Sequence, residues 1–341
     1  MSQGIALSCK DPATSKLTVV EFARTPPKPD EVEVCVKAAS VNPIDVHRAS
    51  GYGRKLLSLL GAGKFPMVLG NDFAGTISAV GNNVNSFKIG DRVFGARKPS
   101  RNGTHASHIT LKADPATITK VPDGHALKSI AALPYCFTTM WLAVREAGLT
   151  KRNAKDKKIL VHGAAGGLGS LALQMLSDWG GDVTAIAYPA AHETCLSLGA
   201  THTIDLTSTP FSELNRSFDA TLNFATWDHD LQLLGCLKKG AMGHATTVHP
   251  MVRTFDENGL IGGAAKTLWR KRSHQNALPS GVDKYSWTIF QPNRYTLTEL
   301  TRLLKLDRAK LEIGLEVPLQ DGEKAFDHIR KGQAGRAIIV P

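Results

Sequence analysis

The chain has 341 residues, 42% hydrophobic and 21% charged, with a formal net charge of +11. That length exceeds one comfortable core and implies two domains, and the composition is that of an ordinary globular protein, which excludes fibrous and disordered classes. No apolar run reaches the ~18–20 residues of a membrane span. The basic surplus is dispersed except for runs at Lys151–Lys158 and Lys266–Arg272, and no basic-aromatic module accompanies it; a solvated basic surface is therefore expected rather than a nucleic-acid or membrane-surface partner. The N-terminal MSQGIALSCK shows neither a signal-peptide nor a transit-peptide pattern. Five scattered cysteines, Cys9, Cys35, Cys136, Cys195 and Cys236, form no CxxC pair. Reduced thiols in a cytoplasmic protein are the expectation.

In chain order, the first part (1–126) is rich in short β-like runs: 16–23, 31–41, 75–81, 90–96 and 105–111. Gly, Pro, Asn and Asp punctuate them, as in a compact, mostly antiparallel β domain. A helical segment, 127–147, opens the second part (127–267), where strand-like runs at 158–163, 182–187, 202–205, 218–224, 240–247 and 259–265 alternate with helices. Alternation of this kind predicts a parallel sheet covered on both faces, an α/β, Rossmann-type doubly wound domain. The third part (268–341) starts basic and loop-rich. It continues with a helix at 296–306, a strand-like run at 311–318, a helix at 321–331 and a last strand, which implies a return to the first domain.

The segment 158–169, KILVHGAAGGLG, places an apolar run before a glycine-rich turn, and the helical spacing of 170–179 follows it. A strand, a tight turn and a helix N-terminus form a site for an anionic phosphate, because free backbone N–H groups and the helix dipole face it. Aligned on G-x-G-x-x-G, the six positions are Ala164, Ala165, Gly166, Gly167, Leu168 and Gly169. The next β-like run begins 13 residues after Gly169, as a βαβ unit requires. Gly166 lets the backbone approach a pyrophosphate, and Gly169 lets helix and strand pack closely. A dinucleotide site and hydride transfer are expected.

AAGGLG followed by Gln174 and Ser177, together with SVNPIDVHRASGYG (40–53), GNDFAGTISAVG (70–81), FKIGDRVFG (87–95) and LPYCFTTMW (133–141), resembles the medium-chain dehydrogenase/reductase superfamily. The likeness is to its zinc-free quinone oxidoreductase (zeta-crystallin-like) branch, and within it to the reticulon-interacting NADPH oxidoreductase group. It runs from about residue 16 to the C-terminus. It implies a GroES-like β-rich catalytic domain with a Rossmann domain, an active site in the cleft between them, and a homodimer. Zinc-dependent relatives carry Cys where Asn42 stands and Gly-His-Glu where Gly70, Asn71 and Asp72 stand. Catalytic zinc needs three ligands such as Cys and His, so no metal is expected. His105 and His108 alternate in a β-like run, which places them on opposite strand faces as surface or turn histidines.

Without a Lewis acid to stabilise an alkoxide, hydride transfer needs an acceptor that spreads its own charge. A quinone or an α,β-unsaturated carbonyl does so, its enolate oxygen being stabilised by hydrogen-bond donors. The resemblance implies candidates for this chemistry. Asn42 is a polar cleft residue whose amide can bond substrate or cofactor. His47 is a proton donor or a ribose-binding side chain, with an unperturbed pKa of roughly 6.5 suited to the first role. Tyr52 is a second donor or a loop aromatic, and Asp45 braces the loop. Thr139 stands beside the nicotinamide or bonds its own helix. The insert at 52–65 helps shape the cleft.

NAD selection uses an acid at the end of the second strand. That position is Tyr188, in AYPAAH. With no acid to bind the ribose hydroxyls or repel a 2′-phosphate, NADPH is favoured over NADH. His192 is a basic candidate for the phosphate, the resemblance adds Lys331 in the place of a family arginine, and Ala165 to Leu168 are the candidates for the pyrophosphate. Pro189, Leu206 and Asn223 depart from the family pattern. They keep open an NADPH-binding sensor or structural protein with little turnover.

Overall fold

A computed structural model describes residues 1–8, 16–59, 65–100 and 102–341; Cys9 and residues 60–64 of the 52–65 insert lie outside them. The chain forms two units. One comprises Met1–Tyr135, Phe255–Leu260 and Gln291–Pro341, the other Cys136–Thr254 and Ile261–Phe290.

The first unit begins with β1 (Ser2–Leu7), β2 (Leu17–Phe22) and β3 (Glu31–Val41). Then come α1 (Pro43–Ala49), α2 (Arg54–Leu57), β4 (Met67–Val68), β5 (Asp72–Val80), β6 (Arg92–Ala96), β7 (His108–Lys112), β8 (Ile118–Lys120) and α3 (Leu127–Ile130). β1 pairs antiparallel with β2 and β4. The long β3 pairs antiparallel with β5 and β7, and irregular register at Glu33/Val34 and Val36/Ala38 bends it between its neighbours. Val32, Val34, Val36, Phe73, Ile77 and Val93 fill the core beneath them. The alternation of apolar residues along these runs is what produces this one-sided burial.

In the second unit, α4 (Leu133–Glu146, entering from the first) precedes β9 (Lys158–His162), α5 (Gly167–Asp178), β10 (Asp182–Ile186), α6 (His192–Ser197), β11 (His202–Ile204) and β12 (Ala220–Asn223). α7 (Asp230–Gly235), β13 (Gly243–Thr246), α8 (Met251–Asn276) and β14 (Tyr285–Trp287) follow. The sheet is wholly parallel, in the order β11-β10-β9-β12-β13-β14. The chain first builds outward from β9 on one side and then on the other. The switch point lies between β9 and β12, where α/β sheets bind ligands at their carboxyl ends.

The run 259–265, expected as a strand, is helical: it belongs to α8, which kinks at Gly259 (φ 71°, ψ −171°). A short apolar run carries no period of its own. The sheet position beside β13 is taken by β14 instead. The segment Leu127–Glu146 has the length and mean hydropathy, 1.3, of a spanning helix, yet 67% of it is buried in the protein, as in a core helix.

The chain then returns through α9 (Arg294–Lys305), β15 (Ile313–Pro318), α10 (Gly322–Arg330) and β16 (Arg336–Val340). β16 pairs antiparallel with β3 and parallel with β15. The return begins at Gln291, where sequence alone set it at 268, and the first unit ends at Tyr135 rather than 126. The composition shifts before the packing does, because residues 268–290 still supply β14 to the parallel sheet.

Candidate functional site

The glycine-rich turn leaves β9 at the switch point. Gly163 reverses the chain at φ 80°, a region that costs a residue with a β-carbon about 1–2 kcal/mol. A β-carbon there would also lie 3.0 Å from the Ala225 nitrogen. Gly166 caps α5 in extended conformation, and the bond from Ser170 N to Gly166 O, 2.8 Å, opens the helical ladder. The amides of Gly167, Leu168 and Gly169 therefore form the first turn, which has no intrahelical acceptors. That turn contains no acidic residue, and Ala165 and Gly166 are exposed. The positive end of the helix dipole is open to an anion.

At Gly169 a β-carbon would sit 2.2 Å from Gly163 O and 2.5 Å from Ala164 Cα, whereas at Gly166 it would meet only Gly163 O, at 3.3 Å. The three structural glycines are thus Gly163, Gly166 and Gly169. The reading that began the motif at Ala164 missed the turn-forming residue directly before it. Three-residue spacing after the strand was the available signal.

The other lip of the turn is the loop after β12. Asn223 Nδ2 donates to Thr226 O (2.8 Å) and to Asp230 Oδ1 (3.0 Å). Asp230 is wholly buried and also accepts from His244 Nε2 (3.0 Å), His274 Nδ1 (2.9 Å) and Tyr285 OH (2.8 Å). Burial opposes its charge, but the bonds from His244 and His274 outweigh it and hold the carboxyl well below its usual range. Sequence reading missed this network, because its members come from four separate segments. Beside it, His162 Nε2 and His229 Nδ1 are 2.9 Å apart. Burial first, and then His229, lower the His162 pKa to about 4.

Tyr188, just beyond β10, is 79% exposed, and no carboxylate stands among residues 187–192. His192 Nε2 donates to Ala187 O at 3.1 Å, which keeps the ring at the end of that strand. Leu206 packs on the apolar cluster of Leu160, Ile186 and Phe218. Thr139 is buried in α4. Ala165, Gly166, Gly167 and Leu168 therefore share one turn, with Tyr188 and His192 at the end of the adjoining strand.

Asn42, His47 and Tyr52 gather around α1 in the first unit. Asp45 Oδ2 accepts from Asn42 N (3.0 Å), and Asp45 Oδ1 accepts from Gly70 N and Asn71 Nδ2, both at 3.0 Å. Asp45 is the brace expected of it. Asn42 is only 1% exposed. Its Oδ1 accepts from Arg336 Nη2 (2.6 Å), and its Nδ2 donates to Ser40 Oγ and Asp72 Oδ1, both at 3.2 Å. The expectation that this amide bonds a substrate is corrected: both of its ends are already engaged, and it ties α1 to β5 and β16.

Asp72, also fully buried, accepts from Ser40 Oγ. Burial raises its pKa to about 7, against the pull of Ser40 and Arg336. His105 is not a surface histidine: it is fully buried, and Nε2 donates to Ser40 O at 2.9 Å. Gly70, at φ 99°, makes room for it, since a β-carbon there would be 2.5 Å from His105 Cδ2. His47 is exposed, with its ring centroid 5.5 Å from that of Tyr52. Lys331 is exposed at the end of α10, also in this unit. Among the described residues no three His, Cys, Asp or Glu side chains converge as a metal-binding group.

Two family models match the chain. Residues 28–123 match the alcohol dehydrogenase GroES-like domain, and 198–338 match the zinc-binding dehydrogenase family. The chain is 30% identical to the Mus musculus protein named NAD(P)H oxidoreductase RTN4IP1, mitochondrial, over 92% of its own length and 82% of the relative's. It is 31% identical to Reticulon-4-interacting protein 1, mitochondrial, of Caenorhabditis elegans, over 92% and 88% of the two chains. The quinone oxidoreductase structure from Coxiella burnetii superposes with a TM-score of 0.78 at 23% identity, covering 100% of both chains. That of Escherichia coli quinone oxidoreductase complexed with NADPH gives 0.76 at 22%, covering 99% of this chain and 100% of that one. The mitochondrial label on the sequence relatives overturns the cytoplasmic expectation. That expectation rested on cysteine spacing and an unremarkable N-terminus, neither of which encodes a compartment.

Proposed function

The chain belongs to the medium-chain dehydrogenase/reductase superfamily, close to the RTN4IP1 NAD(P)H oxidoreductases, and on that premise we propose an NADPH-dependent reductase that passes hydride to a quinone or an α,β-unsaturated carbonyl without zinc. The observation that carries the cofactor half is the turn 163–169: an open, acid-free helix N-terminus beside a strand end that lacks a carboxylate. Ala165, Gly166, Gly167 and Leu168 would hold the pyrophosphate and His192 the 2′-phosphate, with Tyr188 at the ribose. Bound there, NADPH supplies the hydride.

Zinc, which the matched family's description names, does not fit the residues at the corresponding positions. Asn42 and Asn71 are amides, and both donate to buried carboxylates. Asp72 is shared between Ser40 and Asn42, and burial raises its pKa to about 7. Catalytic zinc takes thiolate, imidazole or carboxylate ligands, and two of these three residues are amides. An acceptor able to delocalise the arriving charge follows from that lack. His47, with Tyr52 beside it, would deliver the proton from the exposed face of α1. Asn42 and Arg336 hold that helix in place. We infer a mitochondrial location from the names of its relatives and a homodimer from the family resemblance.

Purified chain, NADPH and a panel of quinones and 2-alkenals, followed at the nicotinamide absorbance, test this reading. Oxidation of NADPH by at least one acceptor, undiminished by a chelator, is expected. Binding of NADPH with no oxidation by any acceptor would leave the sensor reading in its place.

A further inference from the structure

Beyond its kink, α8 presents an apolar face to solvent. Ile261 is 89%, Leu268 66% and Trp269 68% exposed, and Ala264 and Ala265 between them are exposed as well. At about 100° per residue, these five side chains and Arg272 fall on one side of the helix. The opposite side buries Gly263 and His274. It is anchored through His274 to Asp230 (2.9 Å), and Arg270 Nη1 donates to Thr254 Oγ1 (2.9 Å). These anchors fix which face is turned outward.

Along this segment the charge has one sign. From Asn258 to Val282 the sequence contains no Asp or Glu, while Lys266, Arg270, Lys271 and Arg272 lie within it. By helical position Lys266 and Lys271 flank the apolar face, and Arg272 stands on it. Two copies meeting through this face about a two-fold axis would oppose like charges, with no carboxylate on the helix beyond its kink to compensate. Nor is the face sculpted for a protein groove: on it only Ala264 and Ala265 stand between Ile261 and Leu268, where protein interfaces centre on tightly packed pockets. A lipid surface needs no matching shape. It takes Leu, Ile and Trp at the boundary between headgroups and acyl chains, and Lys and Arg against anionic headgroups.

We propose that α8 docks the chain on anionic lipid membranes. No spanning helix is required.

Co-sedimentation of the full chain with vesicles tests this, using phosphatidylcholine alone or mixed with phosphatidylglycerol. At least tenfold more chain is expected to sediment with the anionic vesicles at low salt, with the excess lost as ionic strength rises. The double variant L268Q/W269Q is expected to lose binding about tenfold. K271E/R272E is expected to lose the preference for anionic lipid. Unchanged thermal midpoints, expected for exposed positions, would exclude unfolding as the cause. Equal sedimentation with both vesicles, or parent-like binding by L268Q/W269Q, would overturn the proposal. So would an absence of lipid binding, whether the face then proves to hold a second copy by sedimentation equilibrium or to capture an acidic protein.

Discussion

Gly169 and Gly166 stand three residues apart at one helix end, and an alanine at each should act in opposite ways. At Gly169 the new β-carbon would lie 2.2 Å from Gly163 O and 2.5 Å from Ala164 Cα, against the roughly 3.5–4.0 Å of an ordinary contact. Both neighbours are backbone, so the strand–helix junction itself must open. Overpacking of this kind costs about 1–3 kcal/mol, and the contact distances put this case at the upper end. Alanine recovers about 1 kcal/mol of helix propensity, so Gly169→Ala should lose about 2 kcal/mol net. At Gly166 the only close atom is Gly163 O, at 3.3 Å. The fold should lose no more than about 1 kcal/mol there, mainly from the poorer N-cap. The methyl would instead occupy the space that a phosphate needs.

Thermal and denaturant unfolding, with and without NADPH, separates the two effects. With NADPH at 100 times the parent Kd, stabilisation is about 2.7 kcal/mol; a tenfold weaker Kd reduces it to about 1.4 kcal/mol. Gly166→Ala should show that reduction and Gly169→Ala the loss without ligand. The reasoning fails if Gly169→Ala is as stable as the parent, since propensity alone would then decide. It fails equally if Gly166→Ala keeps the full ligand-induced stabilisation.

Asp230→Asn should cost about 3 kcal/mol, because it strips a buried, multiply bonded carboxylate of its charge. The parent's contribution from this group is complete above the unfolded Asp pKa of about 3.9 and drains as pH falls below it toward the depressed folded value. Urea midpoints between neutral and acidic pH should therefore converge, and parallel curves would refute the assignment. Asp72 runs in the opposite direction. Its pKa is raised to about 7, so ionisation weakens the parent as pH climbs from about 4 through 7. Asp72→Asn should gain on the parent between pH 5 and pH 8, and an unchanged difference in denaturation midpoint would contradict this. His47→Phe should lower turnover by about 100-fold while leaving NADPH binding intact. An unaltered pH–rate profile would remove His47 from the proton path.

The α/β alternation and the strand-turn-helix at 158–169 were legible from the sequence, because both are local: each residue's own period and turn chemistry encode them. So were the residue types Asn, Asn and Asp at 42, 71 and 72, on which the zinc-free proposal rests. The helical fate of 259–265 was not legible, because a seven-residue apolar run is settled by whether the sheet has another strand to offer, and β14 fills that place. The same holds for Asn42. Its type suggests a donor free for substrate, yet Arg336, 294 residues away, holds its oxygen. The Asp230 cluster joins residues 223, 230, 244, 274 and 285, and His105 disappears beneath Gly70 only when β5 packs. By itself the sequence determined which chemical groups are present and which short elements carry them. Tertiary structure alone decided which of those groups still face solvent and which are bound to each other, because burial and long-range hydrogen bonding depend on neighbours that no local window contains.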